Sequence, residues 1–371
     1  MMKYAYFPGC SAQTTGKSFT ISTDYVAEKI GFELVEIPDW NCCGTSAAAL
    51  TSPELAVALP ARSLAISERV FPDLDVVASC AGCYRSLKTS LAYARESQEN
   101  RDRIKKIINA PYEAKANVVS LLEAFAGDDV KEAIADKVQR KLRCLKVACY
   151  YGCAMVRPAD ICECDNVEDP QEMDALMALI GAEPVDWAFK TECCGAAQQM
   201  TVPDLAKPMI ERIFQNAVAN GADCIVTSCP LCMLNLDMRE AEINKARVER
   251  GLEPFDIPCY YFTELIGLAF GGSPQELGID IHFHPAERLL LQRELDALEL
   301  EEAEMAERAE EERKKAEMAA KIAAKKAEKA AKAKAAKLAE KAEAQAAKQV
   351  AKVAETVQTA VAPEDGKEAA E

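Results

Sequence analysis

Residues 3–10 read KYAYFPGC, and residues 146–153 read KVACYYGC. Each is a short apolar run that ends in a Gly-Cys turn. Outward from the first copy, residues 33–44 read ELVEIPDWNCCG and residues 75–83 read DVVASCAGC. Outward from the second, residues 183–195 read EPVDWAFKTECCG and residues 223–232 read DCIVTSCPLC. Order, character and spacing match, so the chain carries one cysteine-bearing unit twice. Helical patterns fill the gaps, for example over 18–30, 53–70, 173–180 and 205–219. Strands alternating with helices predict an α/β fold: two homologous repeated halves, each with a short parallel sheet and helices. The stretch 84–141 reads as largely helical and joins the halves.

The expected division is 1–140 for the first repeat with its helical connector, 141–295 for the second, and 296–371 for a tail. From Ala286 to Ala362 there is neither Gly nor Pro, and the stretch consists mostly of strong helix formers. It starts acidic at Glu299–Glu312 and turns basic from Lys314 onward. Its apolar residues are mostly alanine, too small to drive burial. The reading is a long, charged, Ala/Lys/Glu-rich helical or fluctuating tail that ends in a disordered segment, Ala362–Glu371.

Half of the 371 residues are hydrophobic, enough for a sizeable core, and the net charge is -16. That acidity argues against nucleic acid and anionic membrane surfaces as partners. The first residues show no basic segment followed by an apolar one, and no apolar run approaches the roughly 20 residues of a spanning helix. The expectation is a cytoplasmic protein with no transmembrane segment. Sixteen cysteines in such a chain favour metal ligation over a disulfide framework. There are only two histidines, His282 and His284, so histidine-based catalysis starts poorly.

The repeat selects ten of the cysteines. The first half contributes Cys10, Cys42, Cys43, Cys80 and Cys83; the second contributes Cys153, Cys193, Cys194, Cys229 and Cys232. Each lies at the C-terminal end of a strand-like run, the edge of a parallel sheet where ligand sites gather. Gly44 and Gly195 follow the paired cysteines and are expected to let the backbone approach a bulky inorganic group. A structural zinc takes four ligands in a tetrahedron. Five thiols per half exceed that number, whereas a multi-iron sulfide cluster can use the surplus if some thiolates bridge two irons. Iron–sulfur is the first reading, zinc the second, and redox-active dithiols the third. Cys144, Cys149, Cys162, Cys164, Cys224 and Cys259 fall outside the repeat and read as small buried hydrophobes or free thiols. Among these six, Cys149 is the best placed for an extra ligand role.

Other motifs carry less. Residues 11–18, SAQTTGKS, end like a phosphate-binding loop but lack its first glycine, and Lys17 reads as the start of a helix. His282 and His284 read as structural. Trp40 and Trp187 read as core residues or as shields beside the cysteines. Gln198 and Gln199 are placed for substrate contact.

The FPGC opening, both Cys-Cys-Gly sites, CPLCMLNLD at 229–237, LIGAEPVDWAFKTECCG at 179–195 and IPCYYFTELIGLAFG at 257–271 carry a family resemblance. The chain resembles the heterodisulfide reductase B-subunit family, and more widely proteins with duplicated cysteine-rich CCG domains, over residues 3–295. The resemblance implies a non-cubane 4Fe–4S cluster in each half, ligated by the ten cysteines named above. It implies a two-electron cleavage of a disulfide between the clusters, or the reverse in bacterial sulfur oxidation, with a disulfide or lipoate-bound sulfur as substrate. The implied partners are the other two components of such a heterodisulfide reductase, an iron–sulfur protein of the C type and a flavoprotein of the A type. A second implied role is an electron-transfer or quinone-linked adaptor of a flavin dehydrogenase. The tail is not part of the family pattern.

Overall fold

The structure, a computed structural model, describes residues 2–199 and 201–359. Eight short strands among them form two parallel sheets. The first half supplies β1 (Lys3–Phe7), β2 (Glu33–Glu36), β3 (Val76–Ala78) and β4 (Val118–Ser120), in the order β2-β1-β3-β4. The second supplies β5 (Lys146–Tyr150), β6 (Glu183–Pro184), β7 (Cys224–Thr227) and β8 (Cys259–Tyr261), in the order β6-β5-β7-β8. The register repeats as well: Ala5 pairs with Val76, and Ala148 with Ile225. Every residue of β3 and β7 is buried, as expected for central parallel strands covered by helices on both faces.

The expected helices form at Lys17–Ile30, Pro53–Val70, Glu172–Leu179 and Pro203–Ala219. Local chemistry sets some of their boundaries. Ser52 accepts from the Glu54 N–H at 3.2 Å with Pro53 at the first helical position. The connector 84–141 is largely helical, as expected, and also contains β4, three residues long, which completes the first sheet beside β3. VVS is too short to show a period of two, and its neighbours 121–125 are helical.

Packing crosses the repeat boundary. The helix Lys17–Ile30 lies against the helix Phe262–Ala269 of the second half. Phe19 stacks on Tyr261 with centroids 4.3 Å apart, and Ser22 and Thr263 hydroxyls are hydrogen-bonded at 2.7 Å. On the other side, Tyr84 donates to the Cys162 carbonyl at 2.8 Å. Residues 1–298 therefore form one unit with a shared core, and 299–371 form another.

The second unit belongs to a helix that runs Glu287–Thr359, exposed at every residue from Met305 to Thr356. Glu310–Lys314, Glu317–Lys321 and Glu328–Lys332 make ion pairs at 2.7 Å with Glu on the N-terminal side, the favoured orientation at this spacing. The segment 362–371 lies outside the described residues. Among the described residues no helix is long and apolar enough to cross a membrane.

Candidate functional site

The ten repeat cysteines lie just past the C-terminal ends of the strands. Cys10 follows β1, Cys42 and Cys43 follow β2, and Cys80 and Cys83 follow β3. The second half repeats this with Cys153 after β5, Cys193 and Cys194 after β6, and Cys229 and Cys232 after β7. Strand order reverses beside β1 and beside β5. The thiols thus occupy the crevice at a topological switch point in each sheet.

Within each half the thiols pair in the same way. Cys43 Sγ lies 3.2 Å from Cys83 Sγ, and Cys194 Sγ lies 3.6 Å from Cys232 Sγ. The Gly44 N–H donates to Cys42 Sγ at 3.4 Å, and the Gly195 N–H donates to Cys193 Sγ at 3.3 Å. Cys80 neighbours Cys83, and Cys229 neighbours Cys232. Cys80 and Cys229 are neighbours across the boundary between halves, where Leu231 would stand 3.3 Å from a Cβ at Gly82, and each shifts the other's acidity. The two sets are therefore continuous. They run from the exposed Cys10 and Cys42, through the buried Cys43, Cys83, Cys80, Cys229, Cys232 and Cys194, to the half-buried Cys153 and Cys193. Among the described residues, no three His, Cys, Asp or Glu side chains are grouped to hold a single metal ion.

Proximity splits the acidity of the thiols. A hydrogen bond from Cys42 pulls Cys43 down to about 3, and Cys42 is pushed up in return. A hydrogen bond from Cys153 lowers Cys193 to about 6, with help from the Gly195 N–H and the Arg85 guanidinium. Arg85 comes from the first half, two residues past Cys83. Cys80 and Cys229 each cap a helix N-terminus, at Ala81–Glu96 and Pro230–Glu249. Hydrogen bonds from Cys232 and Cys80, followed by backbone N–H groups of that first turn, hold Cys229 well below the ordinary thiol value.

Two glycines show how closely the backbone is drawn in. Gly9 and Gly152 have φ of +74° and +71°. A Cβ at Gly9 would stand 3.0 Å from Cys83 Sγ, and one at Gly152 would stand 3.1 Å from Cys232 Sγ. Gly44 and Gly195 do have positive φ, but a Cβ there would meet Ala48 and Leu59, or Ala206 and Met209, rather than a thiol. Helix packing leaves no room for a side chain there, while their N–H groups reach Cys42 and Cys193. The glycines whose missing side chain faces sulfur are those preceding Cys10 and Cys153.

Lys190, which the sequence did not single out, is buried and anchors the second turn. Its ammonium pairs with Asp169 at 2.7 Å and Asp174 at 2.9 Å, and its carbonyl accepts from Tyr151 and Gly152. Cys149 does not join the ten. Its buried thiol has Asp174, Lys190 and Cys224 as neighbours, and burial raises its pKa. Cys224 and Cys259 are buried on β7 and β8, and Cys162 is buried at the end of a short helix. In the loop 11–16, Gly16 packs against the second half, where an added Cβ would meet Pro230 at 2.8 Å. His282 bonds to Glu264 at 2.9 Å and His284 to Glu240 at 2.8 Å, so both are structural. Trp187 is buried, donating to the Cys149 carbonyl at 3.1 Å, whereas Trp40 is half-buried and bonds to Glu36. Gln199 is buried, and its Oε1 has no partner among the described residues.

The model of the cysteine-rich domain family, CCG, matches twice, over residues 4–88 and 147–237. The chain is 30% identical over 290 residues to the 8-methylmenaquinol:fumarate reductase membrane anchor subunit of Wolinella succinogenes, covering 77% of this chain and 99% of that one. The chain belongs to the family of duplicated cysteine-rich CCG-domain proteins. Another member is the B subunit of the ferredoxin/F(420)H(2)-dependent CoB-CoM heterodisulfide reductase of Methanosarcina acetivorans. It is 29% identical over 286 residues, covering 76% of this chain and 93% of that one. A hypothetical protein from Helicobacter pylori shares the fold, with a TM-score of 0.57 at 13% identity, over 76% of this chain and 52% of that one. All ten repeat cysteines of the CCG-family chain fall inside the two matched segments.

The donor set fits iron–sulfur clusters. Ten soft thiols converge in two equivalent groups, each closed by a backbone turn that only glycine allows. Near the second-half thiols, the buried polar atoms without a partner among the described residues include Ser228 Oγ beside Cys229, Asn235 Oδ1 on the helix Pro230–Glu249, and the Tyr261 hydroxyl.

Proposed function

We propose that this chain is the iron–sulfur subunit of a heterodisulfide reductase-like complex. In this reading Cys10, Cys42, Cys43, Cys80 and Cys83 hold one non-cubane 4Fe–4S cluster, and Cys153, Cys193, Cys194, Cys229 and Cys232 hold a second. When bound, such clusters supply one electron each and soft metal sites for sulfur. The overall reaction consumes two electrons and two protons, breaks one S–S bond and yields two thiols; the reverse forms the disulfide. The observation that carries the reading is the continuity of the two thiol sets through Cys80 and Cys229. A disulfide has two sulfurs, and two equivalent sets meeting at one junction offer a site to each. A chain of relay centres has no need of such symmetry.

The residues of the chain have separable tasks. The helix N-termini at Ala81 and Pro230 and the N–H groups of Gly44 and Gly195 stabilise thiolates. Arg85 adds a positive charge beside Cys153 and Cys193. The buried middle of the line excludes water, and the exposed Cys10 and Cys42 lie at a mouth. The partners in this reading are the C-type iron–sulfur protein and the A-type flavoprotein of a heterodisulfide reductase, and the substrate is a disulfide or lipoate-bound sulfur. The names of relatives from Methanosarcina support it.

The test is viologen-driven reduction of a small mixed disulfide or lipoamide by the full chain with its C-type iron–sulfur partner. Turnover is expected, and both Cys43→Ala and Cys194→Ala should abolish it. Full activity in either variant contradicts the two-sided reading. One observation favours a second reading, an adaptor passing electrons between a dehydrogenase and quinone: the Wolinella relative is named as part of a menaquinol:fumarate reductase. No turnover of any disulfide, with electron exchange to a menaquinone analogue, supports that role.

A further inference from the structure

Tyr261 ends β8, outside both matched CCG segments. Its ring is stacked face to face on Phe19 of the other half, at 4.3 Å and 10°. That contact clamps the ring with little freedom. The side chain is fully buried, and its hydroxyl has no hydrogen-bond partner among the described residues. An unpaired buried hydroxyl costs on the order of 1–3 kcal/mol, so native structures rarely retain one without a use.

The surroundings say what the use is. Tyr261 pairs with Thr227 on the neighbouring strand, two residues before Cys229, and the carboxylate of Glu264, then the thiols of Cys229 and Cys80 and the carboxylate of Asp237, bear on the phenol. Glu264 already accepts from the Tyr261 backbone N–H at 2.8 Å and from His282, and Asp237 accepts from the backbone N–H groups of Phe283 and His284. Neither thiol accepts from the phenol directly. A tyrosine hydroxyl keeps its proton at neutral pH and is an O–H donor. The corresponding position of the first sheet is Ser120, opposite Ala78 as Tyr261 is opposite Thr227. Ser120 is used up in capping its own helix, where it accepts from the Glu123 N–H at 3.0 Å. The first sheet therefore offers no free counterpart of the Tyr261 hydroxyl at this strand position.

We propose that Tyr261 donates a hydrogen bond to sulfur of the groups held at the Cys80–Cys229 junction and thereby raises their reduction potential. The inference rests on the iron–sulfur reading above. Hydrogen bonds to cluster sulfur stabilise the reduced, more negative state. Tyr261 acts here as a positioning and tuning residue, not as a ligand.

The experiment uses the full chain purified without oxygen. Tyr261→Phe keeps the ring and its stack on Phe19 and removes only the hydroxyl. With iron content unchanged, at least one midpoint potential in a paramagnetic resonance titration should shift downward. The deuterium-oxide shift of the Fe–S vibrations, present in wild type, should shrink. An iron-replete Tyr261→Phe chain with unmoved potentials overturns the proposal. So does a wild-type chain whose Fe–S vibrations are insensitive to deuterium, a result that needs no variant. A wild-type chain without iron instead removes the reading beneath it.

Discussion

Cys80 and Cys229 are neighbouring thiols, one from each half of the repeat, and each shifts the other's acidity. Each caps the N-terminus of its helix, so the pseudo-symmetry of the chain brings two helix dipoles toward one point. This contact turns two local cysteine groups into one site and depends on the interlocked core around it. Phe19 on Tyr261, and Ser22 on Thr263, hold the first half against the second on one side.

The backbone at the Gly-Cys turns is the tightest constraint around the thiols. Gly9→Ala and Gly152→Ala should each strain a positive φ, costing about 1 kcal/mol or more. Each also drives a methyl group against Cys83 Sγ or Cys232 Sγ, at 3.0 and 3.1 Å. Each variant should fold and lose the iron of its own half. Iron analysis and paramagnetic resonance read this out, and full iron content in both would contradict the packing described.

Lys190 is the buried cation of the second half. Lys190→Met strands Asp174, which is also bonded by Tyr151 at 2.7 Å, and loosens the carbonyl that holds Gly152. Removing one partner of a buried ion pair costs about 3 kcal/mol or more. The urea midpoint should fall accordingly, with iron lost from the second half in preference to the first. An unchanged midpoint would mean that the ammonium is dispensable.

His282 and His284 give a pH signature. Burial opposes their charge, but the facing carboxylates prevail, Glu264 for His282 and Glu240 for His284, and both pKa values are raised. A group whose pKa is raised on folding stabilises fully below its unfolded value, roughly 6.5, and loses that contribution as pH climbs through the folded value. The urea midpoint should therefore drop as pH rises above about 6.5. It should drop less in a His282→Gln, His284→Asn double variant. Equal slopes in the two proteins would contradict the assignment.

The charged tail should be dispensable for the site. Its described residues beyond Met305 are exposed, and its ion pairs are of the surface kind that contribute little. Deleting residues 301–371 should leave iron content and disulfide turnover as they were, while circular dichroism loses helical signal. A fall in iron on truncation would show that the tail supports the site.

The sequence exposed the architecture where it repeats itself. KYAYFPGC against KVACYYGC, the two Cys-Cys-Gly runs and the two Cys-x-x-Cys runs located six of the eight strand ends and all ten thiols. Ligand chemistry forces those positions to keep type and spacing. The strand β4 escaped because three residues show no period, although its counterpart β8 sits in a recognisable run. Gly9 and Gly152 stand in plain view in the Gly-Cys turns, yet the paired cysteines point first to Gly44 and Gly195, whose role is packing against Ala48 and Ala206. Lys190 could not be read as buried, since its carboxylate partners Asp169 and Asp174 lie 21 and 16 positions away. The Cys80–Cys229 contact is a tertiary fact: it follows from how the halves interlock, and the pattern of either half alone is silent on it.

The central claim is that the two thiol sets hold iron–sulfur clusters in equal number. Its most direct test is iron, acid-labile sulfide and zinc analysis of the full chain purified without oxygen, alongside Cys43→Ala and Cys194→Ala. The account predicts about eight iron and about eight sulfide per wild-type chain, as two four-iron clusters require, and about half of each in either variant. Stoichiometric zinc with neither iron nor sulfide would contradict it.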